Sequence, residues 1–569
     1  MKTERIYTGT NFGHSSAVCL LNDSGGLEFA VEEESLIKVK HTDNFPFNGI
    51  QLILDRSGGR DLHWSEGWNI NRRFLQKGLF HSLKYISDSN YLKYRLRKEW
   101  NRLLEARRQY KNIGKFRFIG HHISHAYSLI PFGLPMNTLI MVSDTLGEGE
   151  SVSFYHWNGK MTLLRSINYP HSPGSVFHQF AYHLGFSGRT GPGKLMALAG
   201  FGKPVWLNEL NEIGTIKNGI FRINLNRYPA FRLKDATNRF LRKLKPSPFK
   251  TEFLNCLGNY EMGKDIASSI QEWFKTTSWQ LISDNIAYAR NVLNLSVDHL
   301  ALSGGSALNC QANGFFRRNL NSLDIESLVV SPWSEDAGTA IGAAVGNALR
   351  INPDWCSVKS DPFLGPYASA AKTNTIDLND QIEEAALSML NGEILALVSG
   401  RLEFGPRALG GRCILANAFD GNVKLKLNEL KGRPGFMPFA PAILEEDYDK
   451  VFNGKGSEVM AWTVEGKSDA IKTIPGAFHV TGEARAQIVS SKSLILYKFL
   501  KRIKHQRGIG ICLLTSLNGS GQPMPVTLSD ARTICKEIGI KTILSDSGLE
   551  RTSISFHSKI DDRISVNVL

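Results

Sequence analysis

Apolar positions near the N-terminus come in short runs. RIYTGTNF, SAVCLLND and LEFAVEEE fill most of the first forty residues. Runs of this length, bounded by Gly, Asn, Asp and Ser, predict strands, and the turn at residues 24–26 joins two of them as a hairpin. Further along, NTLIMVSD (137–144), DHLALSGG (298–305) and ILALVSGR (394–401) are apolar runs that end in small or charged residues. That form predicts buried strands whose carboxyl ends carry functional loops. Helical spacing of apolar residues marks 265–293 and 380–390. Strands alternating with helices define an α/β protein.

Two segments break the pattern. Residues 352–375 hold three prolines and neither period, which predicts a linker at 361–375 between a domain of residues 1–360 and a second of 376–569. Residues 72–117 hold fourteen Lys/Arg against Asp88, Glu99 and Glu105, a net of +11 out of +14 for the whole chain. Within this insertion, FLQKGLFHSLKYI and YLKYRLRKEWNRLLEARRQY have apolar residues at helical spacing, predicting two amphipathic basic helices. They read as a solvated face or as a docking surface for an anionic acceptor or partner. The chain shows no repeat of fixed period.

Length and composition narrow the class. At 569 residues, 42% hydrophobic and 21% charged, the chain has material for two or three globular domains. No apolar run reaches the roughly 18 residues of a membrane span. The opening MKTERIYTGT leads into a strand rather than a signal-peptide core. Seven scattered cysteines without a CxxC spacing argue against disulfides and structural zinc. A cytoplasmic protein is expected.

Four clusters carry candidate chemistry. In HHISHAY, His121 and His125 stand at i and i+4, so a helix would aim both imidazoles from one face, where they could share a metal ion or simply pack. With Asp144 closing one strand and Asp336 in SPWSEDAGTAIGAA, the donor set suits iron, manganese or zinc. SGGSALNCQANG follows a strand and opens a helix, a place where backbone N–H groups can meet phosphate oxygens or simply make a tight turn. NFGHSSAVCLL sets His14 in a small-residue loop. Arg401, Arg407, Arg412, Lys431, Arg433 and Arg485 lie among Gly, Pro and Phe, followed by a polar loop with Ser516 and Asn518. Guanidinium forks match phosphate oxygens, although an internal ion-pair network would use the same residues.

Taken in order, GHSSAVCLL, VEEESLIKVKH, HHISHA, the Asp144 strand end, GKLMALAGFGKP, SGGSALNCQANG, SEDAGTAIGAA, GRLEFGPRALGGR, KGRPGFMPFAP and LTSLNGSGQP make a more specific signal than any one of them. The chain resembles the O-carbamoyltransferase family that modifies nodulation factors and antibiotics such as cephamycin and tobramycin. The resemblance implies an N-terminal ASKHA-type domain, of the actin and sugar-kinase superfamily, and a C-terminal YrdC-like domain. It implies that ATP, with Mg²⁺, and carbamoyl phosphate form carbamoyl adenylate in the second domain. The carbamoyl group then passes to a hydroxyl of a small acceptor beside Fe²⁺ in the first.

By position, the resemblance makes His121, His125, Asp144 and Asp336 the metal ligands and sets His14 beside the reacting group. It puts Asp144, Gly305 and Asn309 with His14 on the adenylate, and Phe12 and Gly174 on the acceptor. Lys40, Arg401, Arg407, Arg412, Lys431, Arg433, Arg485, Ser516 and Asn518 fall to ATP and carbamoyl phosphate. No nucleic acid or membrane partner is implied, and a homodimer is left open. The chain departs from the family's pattern at Ser35, Thr481, Leu514, Leu517 and Gln522, which bears on the adenylating site. Rival readings are a tRNA threonylcarbamoyl-type enzyme, favoured by the basic insertion, and a non-catalytic nucleotide-binding regulator.

Overall fold

The computed structural model describes residues 4–68, 116–186, 188–224, 263–369 and 378–551, with 97, 101, 104, 105 and 108. Most of the basic insertion and the end of the expected linker, 370–375, lie outside these residues.

Strands β1 (Arg5–Asn11), β2 (Ala17–Asn22) and β3 (Leu27–Glu32) form an antiparallel meander, and β4 (Asp61–Glu66) and β5 (Phe116–Phe118) extend it in parallel, in the order β3-β2-β1-β4-β5. Nearly every residue of β1 and β2 is buried, as expected for strands covered on both faces. The run LEFAVEEE does not stay extended to its end. Its last acids enter the short helix Glu33–Ile37, because the buried Glu33 carboxylate accepts hydrogen bonds from the Asn48 and Gly49 N–H groups and draws the chain out of the sheet.

The same plan then recurs. Strands β6 (Thr138–Gly147), β7 (Glu150–Trp157) and β8 (Met161–Asn168) form a second meander, and His299–Ser303 and Ser327–Val330 pair in parallel beyond β6. The two sheets share one topology, a duplicated arrangement of a meander extended by two parallel strands. Helix Gly338–Ile351 presents an almost wholly buried small-residue face to the first sheet and to helix His121–Tyr127. At the crossing, a Cβ on Gly342 would lie 1.7 Å from the Ser124 carbonyl oxygen, so only glycine allows this approach.

The C-terminal part is a seven-stranded mixed sheet in the order Gln487–Val489, Ala440–Leu444, Ile511–Ser516, Arg412–Ala416, Leu395–Val398, Thr542–Ser545, Gly548–Arg551. It is covered by helices that include Asn379–Leu390, Leu494–Arg507 and Leu528–Ile538. One apolar cluster runs from Leu139 and Ile270 of the first part through to Leu395 and Leu500 of the second. The junction is also tied by polar bonds. Thr463 donates its N–H to the Cys310 oxygen (3.0 Å), Asn313 Nδ2 bonds the Ala461 oxygen (2.9 Å), and Arg318 pairs with Glu483 (3.0 Å). The six described cysteines are unbridged, and among the described residues no helix is long and apolar enough to cross a membrane.

Candidate active site

The His121–Tyr127 helix does what the i, i+4 spacing predicts. The Nε2 atoms of His121 and His125 stand 3.2 Å apart. Asp144, at the end of the regular pairing of β6, brings its carboxylate to 3.1 Å from His121 Nε2, and Asp336 lies 3.6 Å from His125 Nε2. One donor atom from each of the four falls within 4.8 Å of the others. Both imidazoles are buried, and His121 packs under Trp68 with ring centroids 4.0 Å apart. Burial pushes the Asp144 carboxyl up, but the hydrogen bond and charge of His121 outweigh it and leave the group well below the carboxylate range. Burial lowers His125. Two imidazoles and two carboxylates with donor atoms this close together suit a divalent cation. The set therefore fits a metal ion.

His122 turns away from this cluster to Ser153, its Nδ1 2.8 Å from Oγ. Gly147 is the spacer beneath both rings, since a Cβ there would lie 2.2 Å from His121 Cδ2.

The loop after His299–Ser303 lies against the same cluster, with Gly305 close to the Asp144 carboxylate. Asn309 is used within the protein: its oxygen caps helix Cys310–Asn319 through the Ala312 N–H, and its amide pairs with Gln271. Gly174 abuts Ser306 of this loop, and the Phe12 ring packs against Phe45, so both expected acceptor contacts are engaged in internal packing. Lys40 ion-pairs with Glu34. Burial works against its ammonium, yet Glu34 and Glu32 raise it. Glu335, which sequence reasoning missed, belongs to the same group; burial, opposed by Lys40 and Arg407, pushes it up to about 7.

In the C-terminal part, Arg407, Arg433 and Arg485 line one pocket with Pro406, Phe439, Leu514 and Ser516. Among the described residues, the pocket lining contains no carboxylate. Burial and the neighbouring Arg485 push Arg407 down to about 9 and Arg433 to about 10, and Arg485 Nε is buried without a hydrogen-bond partner among the described residues. Such crowding of cations is stable against an anion and costly without one. Lys431 sits just behind, its Nζ donating to the Ser516 oxygen (2.6 Å) and to Asn518 Oδ1 (2.9 Å). Two of the departures from the expected pattern, at Leu517 and Gln522, are held by local contacts, whereas Leu514 lines the pocket. Leu517 is fully buried, and Gln522 Oε1 accepts the Gly519 N–H at 2.9 Å, closing the loop as an acid would.

Two expected phosphate ligands are placed elsewhere. Arg401 donates to the carbonyls of Glu28, Leu364 and Gly365, and fully buried Arg412 to those of Ser399, Gly411 and Val526. Carbonyl oxygens have taken the forks that the sequence suggested for phosphate, so both arginines hold backbone rather than line the pocket. Arg407 instead reaches across the junction, its Nη2 3.4 Å from the Leu308 oxygen in the glycine loop. Anion pocket and metal cluster thus adjoin through that loop.

The Carbamoyltransferase N-terminus family matches residues 74–345 and the Carbamoyltransferase C-terminus family residues 386–550. The chain belongs to the carbamoyltransferase family and is a transferase. It is 27% identical to nodulation protein NolNO of Sinorhizobium fredii, over 92% of this chain and 76% of that one. It is 25% identical to a 3'-hydroxymethylcephem-O-carbamoyltransferase of Amycolatopsis lactamdurans, over 77% and 81%. Among solved structures, HypF of T. kodakarensis aligns over 62% of this chain and 49% of its own at 12% identity, with a TM-score of 0.31. The mixed α/β fold class is as the sequence led us to expect.

Proposed function

We propose that the protein is an ATP-dependent O-carbamoyltransferase that makes carbamoyl adenylate from ATP and carbamoyl phosphate and passes the carbamoyl group to a hydroxyl of a small acceptor. The observation that carries this is the pocket of Arg407, Arg433 and Arg485, without a lining carboxylate and with a buried unpartnered N–H. Joining two polyanions requires such charge. Arg433 and Arg485 bind the phosphates, Ser516 adds a hydroxyl, and Lys431 backs them with Asn518. Arg407 faces the junction, where the adenylate moves toward Gly305.

In the first part, His121, His125, Asp144 and Asp336 would hold Fe²⁺ or a similar divalent ion, which supplies Lewis acidity toward a carbonyl. Trp68 covers the His121 ring on one side. His14 stands at the tip of the β1–β2 loop to meet the reacting carbamoyl group. Acceptor recruitment by the basic insertion, and hence an anionic acceptor, concerns residues outside those described. Release of pyrophosphate when ATP and carbamoyl phosphate are mixed with the protein, and an acceptor mass gain of one carbamoyl group, are the expected results. Carbamoylation without pyrophosphate release would contradict the adenylate route.

A further inference from the structure

The loop that carries His14 is tightly held. Asn11 Nδ2 donates to the His14 and Ser15 carbonyls at 2.8 and 3.0 Å, Ser16 Oγ to the Gly13 carbonyl at 3.0 Å, and Ser15 has φ +54°. The imidazole is met from a different part of the fold. Arg189, in the turn before helix Gly191–Ala199, places Nη2 2.6 Å from His14 Nδ1 and Nη1 3.4 Å from Ser15 Oγ. The charge of Arg189 also reaches the Glu32 carboxylate at the end of β3.

A guanidinium has donors and no acceptor, so the Nδ1 lone pair accepts this bond and the ring proton is on Nε2. We infer that Arg189 is a positioning residue that fixes His14 as its Nε2–H tautomer, so that His14 presents a hydrogen-bond donor to the carbamoyl oxygen during transfer. The inference rests on the carbamoyl-transfer reading above and deepens it. In the step itself, the acceptor oxygen bonds to the carbamoyl carbon and the bond from that carbon to the AMP phosphate oxygen breaks. The electron pair leaves on the phosphate, and the hydroxyl proton follows it to the phosphate and then to solvent. Charge gathers on the carbamoyl oxygen as the carbon becomes tetrahedral, and the Nε2–H stabilises it there. His14 ends the step as it began. Lysine cannot replace this arginine fully, because a single ammonium cannot hold Ser15 and the ring at once.

The test uses the full-length protein with ¹⁵N in its histidine rings, the His14 signals being assigned by their loss in His14→Gln. The expected spectrum has a protonated Nε2 and an unprotonated, accepting Nδ1, and Arg189→Met should redistribute the proton between the two nitrogens. With preformed carbamoyl adenylate and water as the accepting hydroxyl, enzyme-catalysed AMP release by Arg189→Met should fall about 100-fold in kcat, the usual cost of one lost donor to a developing oxyanion. KM for the adenylate should change little, and Arg189→Lys should recover part of the rate. A protonated Nδ1 in the unmodified protein overturns the assignment, as does an unchanged tautomer in Arg189→Met, since loss of rate would then be structural. If ATP and carbamoyl phosphate yield no adenylate, the functional reading fails, and the spectrum still decides the Arg189 contact by itself.

Discussion

Lys431 shows how much a single residue just behind the anion pocket reports. Burial, and then the charge of Arg433, push its ammonium down to about 7. The charged form is therefore disfavoured in the folded, ligand-free protein. This cost is absent above the ordinary value of 10.5 and grows to its full size as pH falls below 7. A bound polyphosphate reverses the preference, so at pH 8 binding should take up a proton. Calorimetry of ATP binding in buffers of different ionisation enthalpy should show uptake approaching about one proton at pH 8, less at pH 6, and none in Lys431→Met. Proton release at pH 8 would contradict the placement. The proposed metal ligands give a second test at this scale. His125→Ala removes one of two buried imidazoles, and metal content measured by elemental analysis should fall to a small fraction of the unmodified level while pyrophosphate release persists. Retained metal would break the four-residue assignment. These residues were legible because HxxxH carries its own geometry. Arg189 and Glu335 were not, since only the folded chain brings Arg189 to His14 or Glu335 to Lys40.

At the scale of elements, two supports decide whether the site residues point correctly. Glu403 Oε1 accepts the N–H groups of Leu409, Gly411 and Arg412 at 2.7–3.2 Å, which shapes the loop that carries Arg407. Glu403→Gln keeps the shape but exchanges a charged acceptor for a neutral one, and a charge-assisted bond is about twice as strong as a neutral one. We expect a raised KM for carbamoyl phosphate with a smaller loss of kcat, read from pyrophosphate release; unchanged kinetics would leave the loop self-supporting. The helix crossing at Gly342 is the other support. Gly342→Ala forces a methyl group against the Ser124 carbonyl, and overpacking of this kind costs about 1–3 kcal/mol. Thermal melting should show a lower Tm, with loosened metal binding because Ser124 lies between the two ligand histidines. Of the elements at these two supports, the sequence pattern predicted the strand in the run that ends at Arg401 but not helix Gly338–Ile351, whose small residues leave no apolar period. It misplaced Arg401 and Arg412, because a glycine-rich arginine segment looks alike whether its partners are phosphates or buried carbonyls.

For the whole molecule, the functional claim depends on two sites that adjoin without merging. The cation pocket belongs to the seven-stranded sheet and the metal cluster to the duplicated pair of sheets, and Arg407 bonding the Leu308 carbonyl links them. The duplication could not be read from the sequence. Its two halves share strand order but no residue period, and strand order is set by pairings such as His299 with Thr138, far apart along the chain. The family was readable because it rides on separated motifs. If the sites divide the reaction, disabling one should leave the other competent. The direct measurement is carbamoyl transfer by Arg485→Ala, whose loss should cut pyrophosphate release by orders of magnitude. Given preformed carbamoyl adenylate, this variant should transfer at nearly the unmodified rate, and His125→Ala should not. A folded Arg485→Ala protein that fails to transfer from supplied adenylate would contradict the division.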